Sequence, residues 1–321
     1  MSLAKYSKQL SLLAKIAFML LAFWFVVKTV DMEELRTMLK AQDRYVLMEV
    51  AFLLSMQIFL GALRWRLLLI SLSESSKNTL SFLKSLKTYY ISIFFNCCLP
   101  GTVGGDVVRV WLVKSDGIPL TTAISSVVID RLLTLFALVL MVFLTVPIFA
   151  SYLKINAWIP VPIFLLFIII GLWSLFNLEK VVKKIPLIKS MHWLEHILQS
   201  LRLVMKKPKT TICSILYAVS AHITFCLSAY LLAESFGTPI SLIACFTLIP
   251  WVLLIAIIPI SIGGWGLREV AMIFTLSLIG VPKEAALALS IQLGLMAIII
   301  SVPAGILWIV NRKSNHETKI N

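Results

Sequence analysis

Along the chain, long apolar runs alternate with short polar or basic stretches. The runs fall at about 10–30, 45–63, 121–146, 157–177, 211–235 and 285–310. Each is long enough to cross roughly 30 Å of hydrocarbon as a helix rising about 1.5 Å per residue. Two further runs, 88–100 and 241–259, end at strings of another character: LPGTVGGDVVR at Leu99–Arg109 and IPISIGGWGLRE at Ile258–Glu269. The run 88–100 spans only about 20 Å as a helix, too little to cross. The pattern predicts about six full spans plus two broken or re-entrant hairpins, eight or so membrane segments in all.

Composition sharpens this to an all-α integral membrane protein. Hydrophobic residues make up 60% of the 321 and charged residues 14%, and the mean hydropathy is +0.98. A soluble domain carries about 25% charged residues. The longest polar stretch, about 177–210, is too short to fold as a catalytic domain of its own. Residues 1–321 therefore read as a single polytopic domain, with 312–321 a short cytoplasmic tail. The N-terminus has basic residues and then an apolar run without a small-residue cleavage site, which predicts an uncleaved first span. The five cysteines lie in apolar segments without CxxC spacing and read as small buried hydrophobes.

The net charge of +14 changes the picture through its position. Basic residues cluster at Lys5–Lys15, Arg64–Lys87, Lys180–Lys209 and Arg312–Lys319, while the loops near 148–156 and 236–240 hold only Lys154. Excess Lys/Arg marks the cytoplasmic side, so both termini are expected in the cytoplasm, across the cytoplasmic (inner) membrane. The charge then favours anionic lipid headgroups, and nucleic acid is not an expected partner.

The two odd strings align. Pro100 is followed by Gly104, Gly105 and Arg109, and Pro259 by Gly263, Gly264 and Arg268. Further on, Gly117-Ile118-Pro119 matches Gly280-Val281-Pro282 with a four-residue slip. The reading is two related halves, about 1–150 and 151–311. Three spans and one hairpin in each half would invert the second against the first; full crossing by 241–259 is the alternative. Repeats of this kind build sites near the midplane from broken helices, and Pro and Gly pairs break helices. Broken backbone at that depth must line a cavity or be buried in protein.

Charges in apolar segments are the candidate chemistry, because each costs on the order of 3 kcal/mol in hydrocarbon. Arg109 and Arg268 are the candidate contacts to an anionic lipid headgroup, with Asp106 and Glu269 orienting them or pairing with them when the site is empty. Asp130 and Arg131 form a supporting pair, and Pro100, Gly104, Gly105, Pro259, Gly263 and Gly264 shape the breaks. Half-helix N-termini after the glycines could add N–H donors. The bland reading is mutual neutralisation or snorkelling. His192-Trp193-Leu194-Glu195-His196 fits a zinc-hydrolase pattern, but an amphipathic interfacial helix explains it better, and neither metal nor cofactor is called for. Asp31, Glu33 and Glu34 in the first outer loop suit a transferase using lipid-linked sugar; the plain alternative is an acidic first turn of a helix. His222, mid-span, suits an interhelical hydrogen bond better than a proton relay.

These pieces resemble the transmembrane, flippase-like domain of lysylphosphatidylglycerol synthetases, also found in stand-alone proteins. The likeness rests on Arg64-Trp65-Arg66-Leu67-Leu68-Leu69, on Leu99-Pro100-Gly101 with Gly104-Gly105-Asp106 and Arg109, and on Asp130-Arg131. It continues at Pro259 with Ser261, Gly263, Gly264, Gly266, Arg268 and Glu269. The family often has Glu where this chain has Asp106 and Asp130. The resemblance implies handling of an amphipathic lipid, moving or binding an anionic phospholipid, glycolipid or polyprenyl-phosphate carrier. No synthetase domain follows Asn311, so aminoacyl transfer is not expected of this chain, and no catalytic residue is assigned. A translocator is favoured over an enzyme; a lipid-linked-sugar glycosyltransferase, or an accessory subunit of one, is the alternative. Expected partners are a membrane lipid, a lipid-modifying enzyme and a second copy of the chain.

Overall fold

The structure, a computed structural model, describes residues 30–40, 42–73, 80–98, 104–156, 162, 165–166, 192–238, 240–258 and 265–317. The expected spans at 10–30 and 157–177 fall almost wholly outside these residues. Among the described residues the fold is all helix: α1 (Met32–Lys40), α2 (Arg44–Leu72), α3 (Phe82–Cys98), α4 (Gly104–Ser115), α5 (Leu120–Tyr152), α6 (His192–Met205), α7 (Pro208–Ser235), α8 (Leu242–Ala256), α9 (Leu267–Ser277) and α10 (Lys283–Glu317).

Four of these, α2, α5, α7 and α10 up to Val310, are long and apolar enough to cross a membrane. Their outward faces carry large apolar side chains such as Phe52, Leu144, Leu216 and Ile299, the pattern of a helix solvated by lipid rather than water. α2 corrects one boundary. The apolar run stops at 63, but the helix continues through Arg64 and Arg66 to Leu72, so those arginines belong to a helix and not to a loop.

The helices stop where backbone chemistry dictates. Gly117 ends α4 at φ +86 and Gly280 follows α9 at φ +79, a left-handed conformation that costs glycine nothing. In both places the next residue donates back to the last turn: Ile118 N–H to the Val113 carbonyl at 3.4 Å, and Val281 N–H to Leu276 at 3.2 Å. A proline then opens the next long helix. Gly104, Asp106, Gly117 and Leu120 are followed, each 163 positions later, by Leu267, Glu269, Gly280 and Lys283. The order short, short, long (α3–α4–α5) thus returns as α8–α9–α10, and Asp106 and Glu269 both sit third in their helices.

The described residues form two compact units, those within 1–56, 91–105 and 223–321, and those within 57–90 and 106–222. In the second, Trp65, Leu69, Leu80, Val113, Ile118 and Ala123 form one apolar core, with Tyr89 and Val110 against it. Leu68, Leu72, Ile129, Leu133, Leu201 and Val204 form another, which seats the amphipathic α6. Lys84 pairs with Asp116 at 2.6 Å across the open end of α3 and α4, which run antiparallel as a hairpin. In the first unit the Asn96 side chain accepts the Gly105 N–H at 2.9 Å, nearer the turn of that hairpin. There α8 packs on α9, α9 on α10, and α1 on α10.

Candidate functional site

The second unit holds a chain of alternating charges. Asp106 and Arg109 lie three residues apart on α4 and so share a face; the Arg109 Nη2 donates to Asp106 Oδ1 at 3.0 Å. The other arm of the guanidinium, Nη1, donates to Asp130 Oδ2 on α5 at 3.1 Å. The remaining Asp130 oxygen accepts from Arg64 Nε on α2 at 2.7 Å. At the far end, Arg131 grips Asp106 with two bonds, Nε to Oδ2 at 2.8 Å and Nη2 to Oδ1 at 3.0 Å. The order is Arg64, Asp130, Arg109, Asp106, Arg131.

Burial grades along this chain. Arg109 is 1% exposed, and its guanidinium carbon lies 5.1 Å from both the Trp65 and the Tyr89 ring centres, where cation–π attraction replaces lost hydration. Trp65 is held in turn by its indole N–H, which donates to Ser126 at 3.2 Å. Arg64 and Asp130 are also buried, whereas the Arg131 side chain is 49% exposed. A buried ion costs several kcal/mol unless paired and hydrogen-bonded, and here each buried carboxylate meets two guanidiniums. Three cations face two anions, an excess of one positive charge.

The first unit builds a smaller cluster at the start of α9. Glu269 is fully buried. Its carboxylate accepts from the Gly266 N–H, from Ser290 on α10 at 2.9 Å, and from Arg268 Nη2 at 3.0 Å. Arg268 stacks 4.9 Å from the Trp265 ring centre and also donates to Ser290 at 3.1 Å. Gly294 makes room: a Cβ there would stand 3.0 Å from the Trp265 ring and against the Arg268 guanidinium.

Each expected site residue can now be placed. Asp106, Arg109, Asp130 and Arg131 come together in the second unit, and Arg268 and Glu269 in the first. Gly104 and Gly105 lie inside the first turn of α4. Pro100, Pro259, Gly263 and Gly264 lie outside the described residues. Asp130 and Arg131 do not hydrogen-bond each other. One N–H at each of these two helix starts is already taken, that of Gly105 by the Asn96 side chain and that of Gly266 by Glu269. An unpaired amide at membrane depth is costly, so the chain caps these itself.

Arg64, Trp65, Tyr89 and Ser290 were not expected in the site. The signal in the sequence is the pair of arginines in RWR at the end of an apolar run, a position that reads as the start of a loop. Asp31 caps α1, its side chain accepting the Glu33 and Glu34 N–H groups at 2.8 and 3.2 Å. The His222 Nε2 lies 3.2 Å from the Thr134 carbonyl, joining α7 to α5. All five cysteines are free, and Cys98 and Cys213 are exposed rather than buried. On α6, Glu195 and His196 are described and the side chain of His192 is not.

Comparison with known families gives a match over residues 12–305 to the one described as lysylphosphatidylglycerol synthase TM region. No curated protein matches the chain.

Proposed function

The chain belongs to the lysylphosphatidylglycerol synthase transmembrane-region family, a multi-pass membrane protein, and on that footing we propose that it binds and translocates a lipid with an anionic headgroup. The membrane is the cytoplasmic one, with both termini inside, because the Lys/Arg distribution favours that orientation. The two short-short-long helix sets are the related halves, and their hairpins are the moving parts. Lipid tails stay in the bilayer while the headgroup passes along polar surface.

One observation carries this reading: the Arg64–Asp130–Arg109–Asp106–Arg131 chain, buried as far as Asp106 and open at Arg131, with one cation more than its acids require. Charges within membrane segments pair with one another and mark the path of a polar passenger. The cluster at Arg268, Glu269 and Ser290 is the counterpart in the other half. The transferase reading has less support, because Asp31 is already used as a helix cap.

The test is a reconstitution. Protein in liposomes carrying trace labelled lipid should speed the appearance of label in the outer leaflet. An Asp130→Asn variant, compared at matched amounts of folded protein, should lose that acceleration. Equal rates in protein-free and protein-containing liposomes, across anionic and zwitterionic lipids, would sink the reading.

A further inference from the structure

We infer that Arg131 is the headgroup contact of the second unit, and that the site takes a single negative charge, a phosphate diester rather than a phosphate monoester. The inference rests on the reading of this chain as a lipid-handling protein and specifies which chemistry the site accepts. Arg109 is the wrong residue for contact. It is buried, both of its terminal nitrogens are bonded to carboxylates, and two aromatic rings lie against it. Arg64 is likewise buried against Asp130.

Arg131 differs on three counts. It is half exposed. It spends Nε and Nη2 on Asp106 and leaves Nη1 without an acceptor among the described residues. It is also the cation that the network can lose and still balance, two guanidiniums against two carboxylates. Asp106 holds the guanidinium plane from behind, so the free edge is aimed before any ligand arrives. A fixed planar fork is what distinguishes arginine from lysine in phosphate recognition.

The neighbours point to a lipid. Leu135, one turn along the same face of α5, is exposed, as are Leu132 and, beside Asp106 on α4, Val107. A headgroup phosphate on Arg131 would leave its chains against these side chains. The charge count then sets the class. A diester brings one negative charge and cancels the excess. A monoester carries about 1.5 to 2 near neutral pH, and the surplus would sit unpaired in a poorly screened site.

The experiment uses the full chain in nanodiscs, exposed to equal amounts of phosphatidylglycerol, phosphatidic acid and phosphatidylcholine, with retained lipid read by native mass spectrometry. Wild type is expected to retain phosphatidylglycerol over both others. Arg131→Gln should lower that retention about tenfold, and Arg131→Lys should lose less, since charge remains but the fork does not. Dimethyl phosphate and inorganic phosphate, added at millimolar levels, should displace nothing; displacement by either would make this a site for water-soluble phosphates and overturn the lipid assignment. Phosphatidic acid retained as well as phosphatidylglycerol by wild type would overturn the charge match, whatever the variants do. Retention unchanged in Arg131→Gln would overturn the contact alone. Lipid retained only in bulk proportions by wild type would remove the lipid-handling reading and this inference together.

Discussion

Asp130 and Arg131 are consecutive in α5, yet in one charge network Asp130 lies between Arg64 and Arg109 while Arg131 stands at the far end, on Asp106. Side chains leave a helix about 100° apart at successive positions. Asp130 therefore turns inward to Arg64 and Arg109, while Arg131 reaches sideways to Asp106 and the surface. A salt bridge between chain neighbours would have used both up. Sending them apart lets two acids organise three arginines.

Removing the shared acid should be costly. Asp130→Ala leaves Arg64 without its carboxylate and Arg109 with one of two, both buried. Loss of one partner of a buried pair costs about 3–5 kcal/mol. Thermal unfolding in detergent should show a drop of that order, and adding Arg64→Leu should recover part of it. A drop as large in the double variant would argue against the pairing.

The cluster on α9 should respond in two sizes. Ser290→Ala removes one hydroxyl donor and should cost about 1–2 kcal/mol. Glu269→Gln keeps the shape but removes the charge that holds Arg268 and one acceptor for the Gly266 N–H, and should cost about 3 kcal/mol or more. Hydrogen exchange at Gly266 should quicken in the second variant and hardly in the first.

Gly105 is where the α3–α4 hairpin closes. A Cβ there would run into the Ser92 backbone carbonyl and crowd Asn96, and backbone cannot rotate away. Gly105→Ala should destabilise by about 1–3 kcal/mol or more, with cysteine cross-linking between the two helices weakened. An unaltered melting curve would show the approach to be looser than the structure has it.

The Lys84–Asp116 pair is a contrast. Lys84 is half exposed, so Lys84→Ala should cost about 0–1 kcal/mol, and high salt should remove even that. The Asp130→Ala loss should persist in high salt, because buried pairs are little screened. Equal salt sensitivity in the two variants would mean that water reaches the network.

Much of the helical layout was legible in the sequence because its causes are local. The run 121–146 is most of α5, 211–235 nearly all of α7, and 285–310 most of α10. Gly-Ile-Pro and Gly-Val-Pro mark the ends of α4 and α9 for the same reason: glycine permits the left-handed stop, and proline opens the next helix. The partners of the charges were not legible. Arg64 reads as a loop residue because an arginine after an apolar run is usually at an interface; it lies inside α2, where Asp130, 66 positions away, pairs with it. Spacing along one helix tells which residues share a face, and so Asp106 and Arg109 could be joined in advance. Which guanidinium a carboxylate holds across helices depends on how α2, α4 and α5 pack, and only the tertiary structure decided that Arg109 is buried and Arg131 is the arginine left facing outward.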